Sequence, residues 1–391
     1  MLYFSKLRIT LVSFVTLFFI YFALSNFQDP ENSFISKRIN LGLDLQGGSY
    51  LLLEIDNEPV EIQKLQNTTT VIRNFLKSKK INFNDLRIQD KTIVFTTPIM
   101  DVGSVEAFFL DKESEINPYY NQYKSHQFDV IIEDSKFTLS LSKYGLIEIK
   151  TSSQDQALEI VRRRVDEVGT NEPNIIKRGN NRILVELPGL DDPMRIKSLL
   201  GKTANLTFRF VTQNKNDTFG TEMLQFEDGM SEAMVSKRII LNGENLLDAQ
   251  PQMNNQTNET VVSFTLDRVG AKRFGKATST GVGKQLAIVL DGKIVSAPTI
   301  QSVIASGNGQ ISGNFTFQSA TDLALLLRSG ALPAPLNIIE ERTVGPDLGQ
   351  DSINAGVIAL MIGFLLVIIF MFFKYKISVS YTHLTLPTIS S

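Results

Sequence analysis

The sequence predicts an α+β protein that is anchored in a membrane and has a large region outside the cytoplasm. Three observations predict this class: two uncharged apolar segments near the chain ends, mixed helical and alternating patterns between them, and a repeated helix–hairpin pattern in that middle region. The chain has 391 residues, of which 43% are hydrophobic and 20% charged, as in folded proteins of more than one domain.

The first apolar segment, residues 9–24, contains no charged residue. Lys6 and Arg8 precede it and acidic residues follow it, so its first end should stay in the cytoplasm. We predict a transmembrane helix at residues 7–27. A cleaved signal peptide is the alternative, because Ala23-Leu24-Ser25 offers small residues at a suitable cleavage spacing.

The second apolar segment, residues 355–373, is long enough to span a bilayer as a helix. It is followed by Lys374 and Lys376, so its far end should also lie in the cytoplasm. The two spans would enclose an extracytoplasmic region without ATP. Residues 374–391 read as a polar, non-helical cytoplasmic tail, which we interpret as truncated or aberrant.

Composition excludes several classes of site. The formal net charge is −2, which gives no overall attraction to nucleic acid. The chain has no cysteine, and its two histidines, His126 and His383, are expected to be solvated. Motifs of the GxSxG and HExxH type are absent. We therefore expect no enzymatic activity, no cofactor and no metal site.

A weak internal repeat organises the region between the spans. Residues 72–98 and 161–189 each read as helix, loop, strand, turn, strand and proline. In the second copy, Ser153 and Gln156 resemble a capping box at the start of the helix, and Gly169 is a stop signal. Its apolar stripe consists of Leu158, Val161, Val165 and Val168.

The second repeat continues into further regular structure. A hairpin is predicted at residues 174–187 around Gly179-Asn180-Asn181, and Asp191-Asp192-Pro193 opens a helix that ends at Gly201. Strand, helix, hairpin and helix together predict an α+β sandwich of ferredoxin type. We assign this base to residues 28–202, with an extra repeat unit at about 57–150.

The stretch from Leu41 to Ile55 holds a predicted bend. Residues 49–55 are apolar on both faces, as in an inner strand, and Gly47-Gly48 separates them from a preceding extended piece that includes Leu43. Glycine permits positive φ there, and Asp44 can bond nearby amides. A phosphate-binding loop is the weaker alternative, because the glycines precede a strand and no lysine follows.

Residues 203–330 form a second unit, predicted as a head on the base. Strands are predicted at residues 203–211 and 261–266, and a hairpin encloses Asp291-Gly292. Asp267 is a predicted helix cap. Gly201, Gly330, Pro333 and Pro335 flank the unit and are hinge candidates. Residues 331–354 would return the chain to the base and lead to the membrane.

Other polar motifs have simple structural interpretations. Arg162-Arg163-Arg164 could contact lipid headgroups or a partner, but a solvated helix face is the favoured interpretation. Gly281-Val282-Gly283-Lys284 is interpreted as a turn rather than a phosphate loop. Asp347 and Asp351 could pass protons toward the second span, or belong to a turn closed by Gly345-Pro346.

Several longer motifs resemble the SecD family of the bacterial Sec export machinery. They are LGLDLQGG (41–48), RRRVDEVGTNEPNI (162–175), LVELPGL (184–190), AIVLDGKIVSAPTI (287–300), LRSGALPAPL (327–336) and TVGPDLGQDSI (343–353). Gln46 stands where the family often has arginine. The resemblance makes signature residues of Leu43, Asp44, Gly47, Gly48, Pro188, Gly189, Gly345, Pro346 and Gly349.

The resemblance implies an auxiliary role in protein export. A member of this family would sit in the bacterial inner membrane as a multi-pass protein, with both termini in the cytoplasm and a large periplasmic region. Its head would hold emerging unfolded polypeptide while proton flow drives head movement. The implied partners are SecF, the SecY-SecE-SecG channel, YajC, SecA, unfolded preproteins and the lipid bilayer.

One rival and one departure accompany the resemblance. The rival is a fragment of a proton-driven small-molecule exporter of the RND type, which would need a substrate pocket in the soluble region. The departure is the C-terminal end: the family continues with several more spans, including the acidic residue assigned to proton passage. Residues 377–391 do not resemble a further span.

Overall fold

The computed structural model describes residues 6–25, 47–169, 173–189, 193–212, 220–254, 259–344 and 346–385. The helices are α1 (Lys6–Ser25), α2 (Glu58–Ser78), α3 (Ile99–Leu110), α4 (Lys143–Val168), α5 (Pro193–Gly201), α6 (Arg268–Thr280), α7 (Phe317–Ser329) and α8 (Pro346–Thr385). The strands before α5 are β1 (Gly48–Ile55), β2 (Asn84–Gln89), β3 (Thr92–Thr96), β4 (Tyr119–Tyr120), β5 (Ser125–His126), β6 (Phe128–Glu133), β7 (Lys136–Leu141), β8 (Asn174–Arg178) and β9 (Arg182–Pro188). Those after it are β10 (Leu206–Phe210), β11 (Thr221–Gln225), β12 (Glu232–Ser236), β13 (Leu241–Asn242), β14 (Leu246–Met253), β15 (Thr260–Leu266), β16 (Leu286–Leu290), β17 (Lys293–Ser296), β18 (Asn308–Phe315) and β19 (Leu336–Val344).

The chain divides into two compact units, one of which holds the helices near its ends. This unit consists of Met1–Gly47 and Val344–Ser391 and contains α1 and α8. Of the described helices, one is long and apolar enough to cross a membrane, at Asp351–Lys374 with a mean hydropathy of 3.0. The apolar part of α1, Thr10–Tyr21, is shorter. The second predicted span therefore lies within such a helix, and the first stays a prediction.

The prediction that residues 374–391 form a non-helical tail is wrong for most of that range, because α8 continues to Thr385. The threonines and β-branched residues after Lys374 have modest helix propensity, but none of them removes a backbone hydrogen bond as proline does. The next proline is Pro387, beyond the end of the described helix.

The second compact unit, Gly48–Thr343, contains a sheet that we call the base sheet. Its strand order is β19-β1-β9-β8. β1 pairs antiparallel with β9 from Gly48 opposite Pro188 to Glu54 opposite Arg182. This confirms β1 as an inner strand and the hairpin around Gly179-Asn180-Asn181. The core against α4 is formed by buried aliphatic residues, among them Leu51, Leu53, Val161, Val165, Ile183 and Val185.

Helix α4 is longer than the sequence predicts. It begins at Lys143 with Ser142 as its N-cap, whose Oγ accepts a hydrogen bond from the Gly145 amide at 3.0 Å. The predicted capping box of Ser153 and Gln156 is wrong, since both lie inside the helix and Ser153 is buried. The helix extends because its first three turns pack against the preceding unit, and packing outweighs weak local cap signals. Its end at Gly169, with φ 81°, is as predicted.

The extra repeat unit forms a second antiparallel sheet, with strand order β2-β3-β7-β6. Its first copy of the repeat consists of α2 followed by the β2–β3 hairpin, which confirms the predicted helix–hairpin pattern. Stacked aromatic rings fill its core, with Phe95 and Phe137 at 4.9 Å between centroids. The predicted limit at residue 150 falls inside α4, so one continuous helix serves both this unit and the base sheet.

The described residues of the head segment, residues 203–330, form three sheets. Their strand orders are β13-β10-β16-β17, β14-β15-β18 and β11-β12. Phe208, Phe264 and Phe274 pack edge to face or tilted at the centre of its core. Asp267 caps α6 and Asp291-Gly292 forms the β16–β17 turn with positive φ at both residues, as predicted.

Candidate functional site

The head segment joins the rest of the chain through two crossings. We call residues 199–205 the outgoing crossing and residues 329–336 the returning crossing. Four buried apolar residues, Leu199, Ala204, Leu325 and Leu326, form a small core where the outgoing crossing meets α7. This joint places the predicted hinge residues Gly201 and Gly330 in one neighbourhood.

Arg164 lies at the centre of the joint, and only 1% of it is exposed. Nη1 donates hydrogen bonds to the carbonyl oxygens of Leu199, at 2.7 Å, and Lys202. Nη2 donates to the carbonyls of Thr203, at 3.3 Å, and Gly330, at 3.1 Å. Nε donates to Ser329 Oγ at 3.4 Å. One guanidinium thus binds both crossings.

The electrostatics of this arginine follow from its position. Burial lowers the pKa of Arg164 to about 10, and the negative charge of Asp291 acts in the opposite direction. Arginine therefore remains charged at neutral pH. Its acceptors include the last turn of α5 and the end of α7, where helix carbonyls carry partial negative charge.

The prediction of a solvated face for the three arginines is wrong for Arg164. Arg162 and Arg163 are exposed and pair with Glu159, as expected for a surface. Arg164, however, lies three residues after Val161 and four before Val168, so it falls in the apolar stripe that faces the core. That spacing is the signal by which the sequence could have indicated burial.

Asp291 fixes the outgoing crossing from the side of the head segment. Its carboxylate accepts hydrogen bonds from the Thr203 hydroxyl, the Ala204 amide at 3.1 Å and the Asn205 amide at 2.8 Å. These bonds hold Ala204 at φ 60°, a left-handed conformation that is unusual for alanine. In addition, the Leu332 amide of the returning crossing donates to the Thr203 carbonyl at 2.8 Å.

Two ion pairs surround the joint. Arg195 on α5 pairs with Asp322 on α7, with 2.8 Å between Nη2 and Oδ1. Arg328 on α7 pairs with Glu167 on α4. Both pairs are partly exposed, so each contributes little in water.

A groove of about 550 Å³ opens beside the joint, between β17, β18 and α7. Its apolar lining includes Phe226, Ile294, Phe315, Leu323 and Leu326, and its polar lining includes Lys202, Asp228 and Asp322. β18 is an edge strand of its sheet, whereas the outer side of β17 is partly occupied, because Ile294 bridges to Phe226 and its carbonyl accepts a hydrogen bond from the Glu227 amide at 2.9 Å. An edge strand can pair with an added extended chain, so this groove has the shape and, in β18, an edge for binding unfolded polypeptide.

A methionine-bearing hairpin forms a second exposed apolar surface of the head segment. In β11 and β12, Leu224, Ala233 and Val235 pack toward the neighbouring sheet, while Met223 points to the other face opposite Met234. Met230 at the turn is 91% exposed. Methionine side chains are flexible and suit surfaces that bind varied partners.

The structure brings some of the signature residues together. Gly48 begins β1 with φ 132°, and a Cβ there would lie 2.2 Å from the Leu187 carbonyl oxygen and 3.0 Å from Pro188 Cα. Gly189 N is 3.1 Å from the same point. Gly47 also has positive φ, which matches the predicted bend rather than a phosphate loop.

The remaining signature and hinge residues lie elsewhere. Leu43, Asp44 and Gly345 fall outside the described residues, and Pro346 and Gly349 lie in the first turns of α8 with Asp347 and Asp351. Pro346 therefore starts a helix. Pro333 and Pro335 lie in the returning crossing, where the Pro335 carbonyl accepts a hydrogen bond from the Asp56 amide at 3.0 Å.

The histidine interpretation is partly wrong. His126 is half-buried in β5, with Nδ1 3.0 Å from the Asn117 carbonyl oxygen and its ring edge-on to Tyr119. The side chain of His383 is outside what the structure describes. Within the described ranges, no cluster of three His, Cys, Asp or Glu side chains could hold a metal ion.

Comparison with known proteins gives matches along most of the chain. Family models match residues 33–58 ("SecD/SecF GG Motif"), 154–213 ("Protein translocase subunit SecDF, P1 domain, N-terminal") and 221–334 ("SecDF, P1 head subdomain"). The protein translocase subunit SecD of Acetobacter pasteurianus is 39% identical over 383 residues, which are 96% of this chain and 72% of that protein. SecD of Rickettsia bellii is 40% identical over 380 residues, or 95% of this chain and 71% of that protein.

The chain belongs to the SecD family. Among solved structures, it is similar to the crystal structure of SecDF in its super-membrane-facing form, at 24% identity and a TM-score of 0.49. That match covers 96% of this chain and 40% of the SecDF chain.

Two regions matched by SecD family models meet at the joint. Arg164 and the outgoing crossing lie in the region matched by the P1 N-terminal model, whereas Gly330 lies in the region matched by the P1 head model. The groove residues Phe226, Ile294 and Phe315 also lie in the head match. Arg164 thus links two regions that the SecD family models treat separately.

Proposed function

We propose that this chain acts in an auxiliary subunit of the Sec preprotein translocase and helps export unfolded proteins across the bacterial inner membrane. Its head segment would hold the emerging polypeptide on the periplasmic side and hinder its return. Membership of the SecD family supports this role, and the apolar groove beside the edge strand β18 is the structural observation that carries the holding step.

The holding step requires binding of many different unfolded polypeptides and no chemical change in them. An extended chain can add main-chain hydrogen bonds to a strand edge and place apolar side chains against Phe226, Ile294 and Phe315. Such contacts tolerate many sequences, as a translocase requires. One charge that crosses a potential of 100 mV releases about 2.3 kcal/mol, enough to bias a two-state movement of a head.

The finer architecture belongs to the same proposal. We infer a periplasmic ferredoxin-like base at residues 28–202, a head at 203–330, a return segment at 331–354, and spans at 7–27 and 355–373 with cytoplasmic termini. We also infer an association with SecF and the SecY-SecE-SecG channel, with YajC and SecA as further partners. This role requires no enzymatic activity.

The test is an export assay in membrane vesicles depleted of endogenous SecD. A preprotein arrested midway through export is followed by its protection from added protease. In vesicles that contain the full protein carrying this chain, the arrested polypeptide should not move backward out of the channel. Collapse of the proton gradient should restore its backward movement. Equal backward movement with and without the protein, at equal channel content, would refute the proposal.

The RND exporter alternative predicts a different result from the same vesicles. A small-molecule exporter would leave preprotein movement unchanged and would expel an amphiphilic dye against its gradient. Family membership does not favour that alternative.

A further inference from the structure

We propose that Arg164 is a positioning residue, which fixes the orientation of the head segment relative to the base sheet by binding both crossings at once. Its acceptors are divided between the two crossings: Leu199, Lys202 and Thr203 belong to the outgoing one, and Ser329 and Gly330 to the returning one. The base end of this link is α4, which packs against the base sheet through Val161 and Val165.

The connectivity of the chain makes this position decisive. Residues 206–328 are joined covalently to the rest of the chain only through the two crossings. Rotation about one crossing alone would have to break the bonds of the Arg164 guanidinium to the other. Gly201 and Gly330, which the sequence suggests as hinges, are therefore held while these bonds persist.

The chemistry of the site specifically requires arginine. The planar guanidinium presents five N–H donors in a fixed fork, and here they reach five acceptors. A lysine ammonium has three donors and one centre, so it cannot reach both crossings in the same way. The carbonyls at the ends of α5 and α7 provide the partial negative charge that a buried cation needs.

Asp291 completes the link from the other side. It binds Thr203, Ala204 and Asn205 through the β16–β17 turn of the head segment. The outgoing crossing is thus held between a cation from α4 and an anion from the head. The partly exposed pairs Arg195–Asp322 and Arg328–Glu167 also connect the two sides, but solvent and salt weaken them.

The test measures orientation directly. The chain has no cysteine, so spin labels can be attached to the two cysteines of the Ser152→Cys and Lys272→Cys double variant of the full chain. Ser152 is exposed on α4 and Lys272 is exposed on α6. Pulsed electron resonance then gives the distribution of distances between the labels in reconstituted membranes. Arg164→Met removes every donor but keeps much of the side-chain volume, and Arg163→Met is the matched control on the exposed face.

We expect Arg164→Met to widen the distance distribution by roughly twofold or more, because a locked state is replaced by an ensemble. Arg163→Met should leave it unchanged. The width of the distance distribution for Arg164→Lys should be nearer to that of Arg164→Met than to that of the wild type. A purely electrostatic role of Arg164 would not produce this result, because lysine keeps the positive charge. A distribution for Arg164→Met as narrow as that of the wild type, in a folded chain, would overturn the proposal.

Hydrogen exchange of the wild type keeps the inference testable if Arg164→Met does not fold. The amides of Leu332, Asn205 and Asp291 should exchange as slowly as those in the middle of α4. Exchange of these joint amides about 100-fold faster than in α4 would show a joint that opens freely, and would also overturn the proposal. Both readouts are internal to the chain, so they stand apart from the outcome of the export assay.

Discussion

At the scale of single residues, Arg164 and Gly48 illustrate two ways in which position determines the residue type. Arg164 keeps its charge in a buried site because carbonyl oxygens surround it, and an apolar side chain would remove the hydrogen bonds that it donates to the Leu199 and Gly330 carbonyls. Gly48 lies so close to the backbone of β9 that no side chain fits. Both residues fix how neighbouring segments meet.

Gly48→Ala should destabilise the fold. The added Cβ would lie 2.2 Å from the Leu187 carbonyl oxygen, at a φ of 132° that alanine rarely adopts. We expect a loss of at least about 2 kcal/mol in the free energy of unfolding, measured by thermal denaturation. The control is Gly103→Ala in α3, where a Cβ meets no neighbouring atom within 4 Å, and which should gain about 0.5–1 kcal/mol. Equal effects of the two substitutions would contradict the packing at Gly48.

Asp267 should make the stability of the fold depend on pH, with a small loss at acidic pH. Its hydrogen bonds from the Gly270 amide and the Asn245 side chain lower its pKa below the ordinary 3.8. The stability that it contributes is therefore full above pH 3.8 and is lost as the pH falls through the lower, folded-state pKa. Asp267→Asn has no carboxylate to titrate.

The measurement compares melting temperatures of wild type and Asp267→Asn at about pH 6 and about pH 2.5. The difference in melting temperature in favour of the wild type should be smaller at about pH 2.5 than at about pH 6. A difference between the two proteins that stays constant or grows with acidification would contradict this role of Asp267.

At the scale of elements, helix α4 connects the parts of the second compact unit. Its first turns are anchored to the extra repeat unit, where Ser142 Oγ also donates to the His126 carbonyl at 2.7 Å. Its middle packs on the base sheet through Val161 and Val165, and Arg164 reaches the joint. A single rigid helix thus transmits position from one end of the unit to the joint.

Ser142→Ala and Ser153→Ala distinguish the two possible starts of α4. Loss of the Ser142 cap and of its bond to the His126 carbonyl should reduce the free energy of unfolding by about 1–2 kcal/mol in denaturant titrations. Ser153→Ala, inside the helix, should reduce it by less than half as much. The opposite order would support the start that the sequence suggests.

The ends of helices and turns could be predicted where a cap or turn residue marks them in the sequence. Asp267 before α6, Gly169 after α4 and Asp291-Gly292 between β16 and β17 are each read from one or two residues, and the structure confirms them. The start of α4 could not be read this way, because it depends on packing against β5, β7 and the backbone of Gln127, which lies against Gly145.

The joint was harder to predict than the elements. The acceptors of Arg164 lie 35 to 166 positions away in the chain, and most of them are backbone carbonyls, which leave no trace in the sequence. Gly201 and Gly330 indicated where the chain crosses, but not that one side chain holds both crossings. The groove was not predicted for the same reason, since its lining residues Phe226, Ile294 and Leu323 are far apart in the sequence and meet only in the folded chain.

At the scale of the whole molecule, the proposed function requires a defined topology in the membrane. Asp351–Lys374 is the described helix that could span the membrane, and its flanking lysines favour a cytoplasmic end. The head segment should lie on the opposite side. The helix and the head segment belong to different compact units of the chain, so the side of the membrane on which each lies can be tested separately.

Topology can be measured with single cysteines, because the natural sequence has none. Ser378→Cys in α8 should react with a membrane-impermeant maleimide only from the cytoplasmic side. Lys237→Cys, at an exposed position of the head segment, should react only from the periplasmic side. Labelling of both positions from the same side would contradict the proposed arrangement.

Crosslinking between the head segment and an exported polypeptide measures the proposed holding role directly. Photoreactive residues would replace Phe315 in the groove and Met230 on the hairpin, with exposed Ile131 in the extra repeat unit as the control. In membranes that contain the complete protein and a polypeptide arrested during export, we expect crosslinks from Phe315 and Met230 that weaken when the proton gradient is collapsed. Export that proceeds normally without crosslinks from either head position would contradict the account.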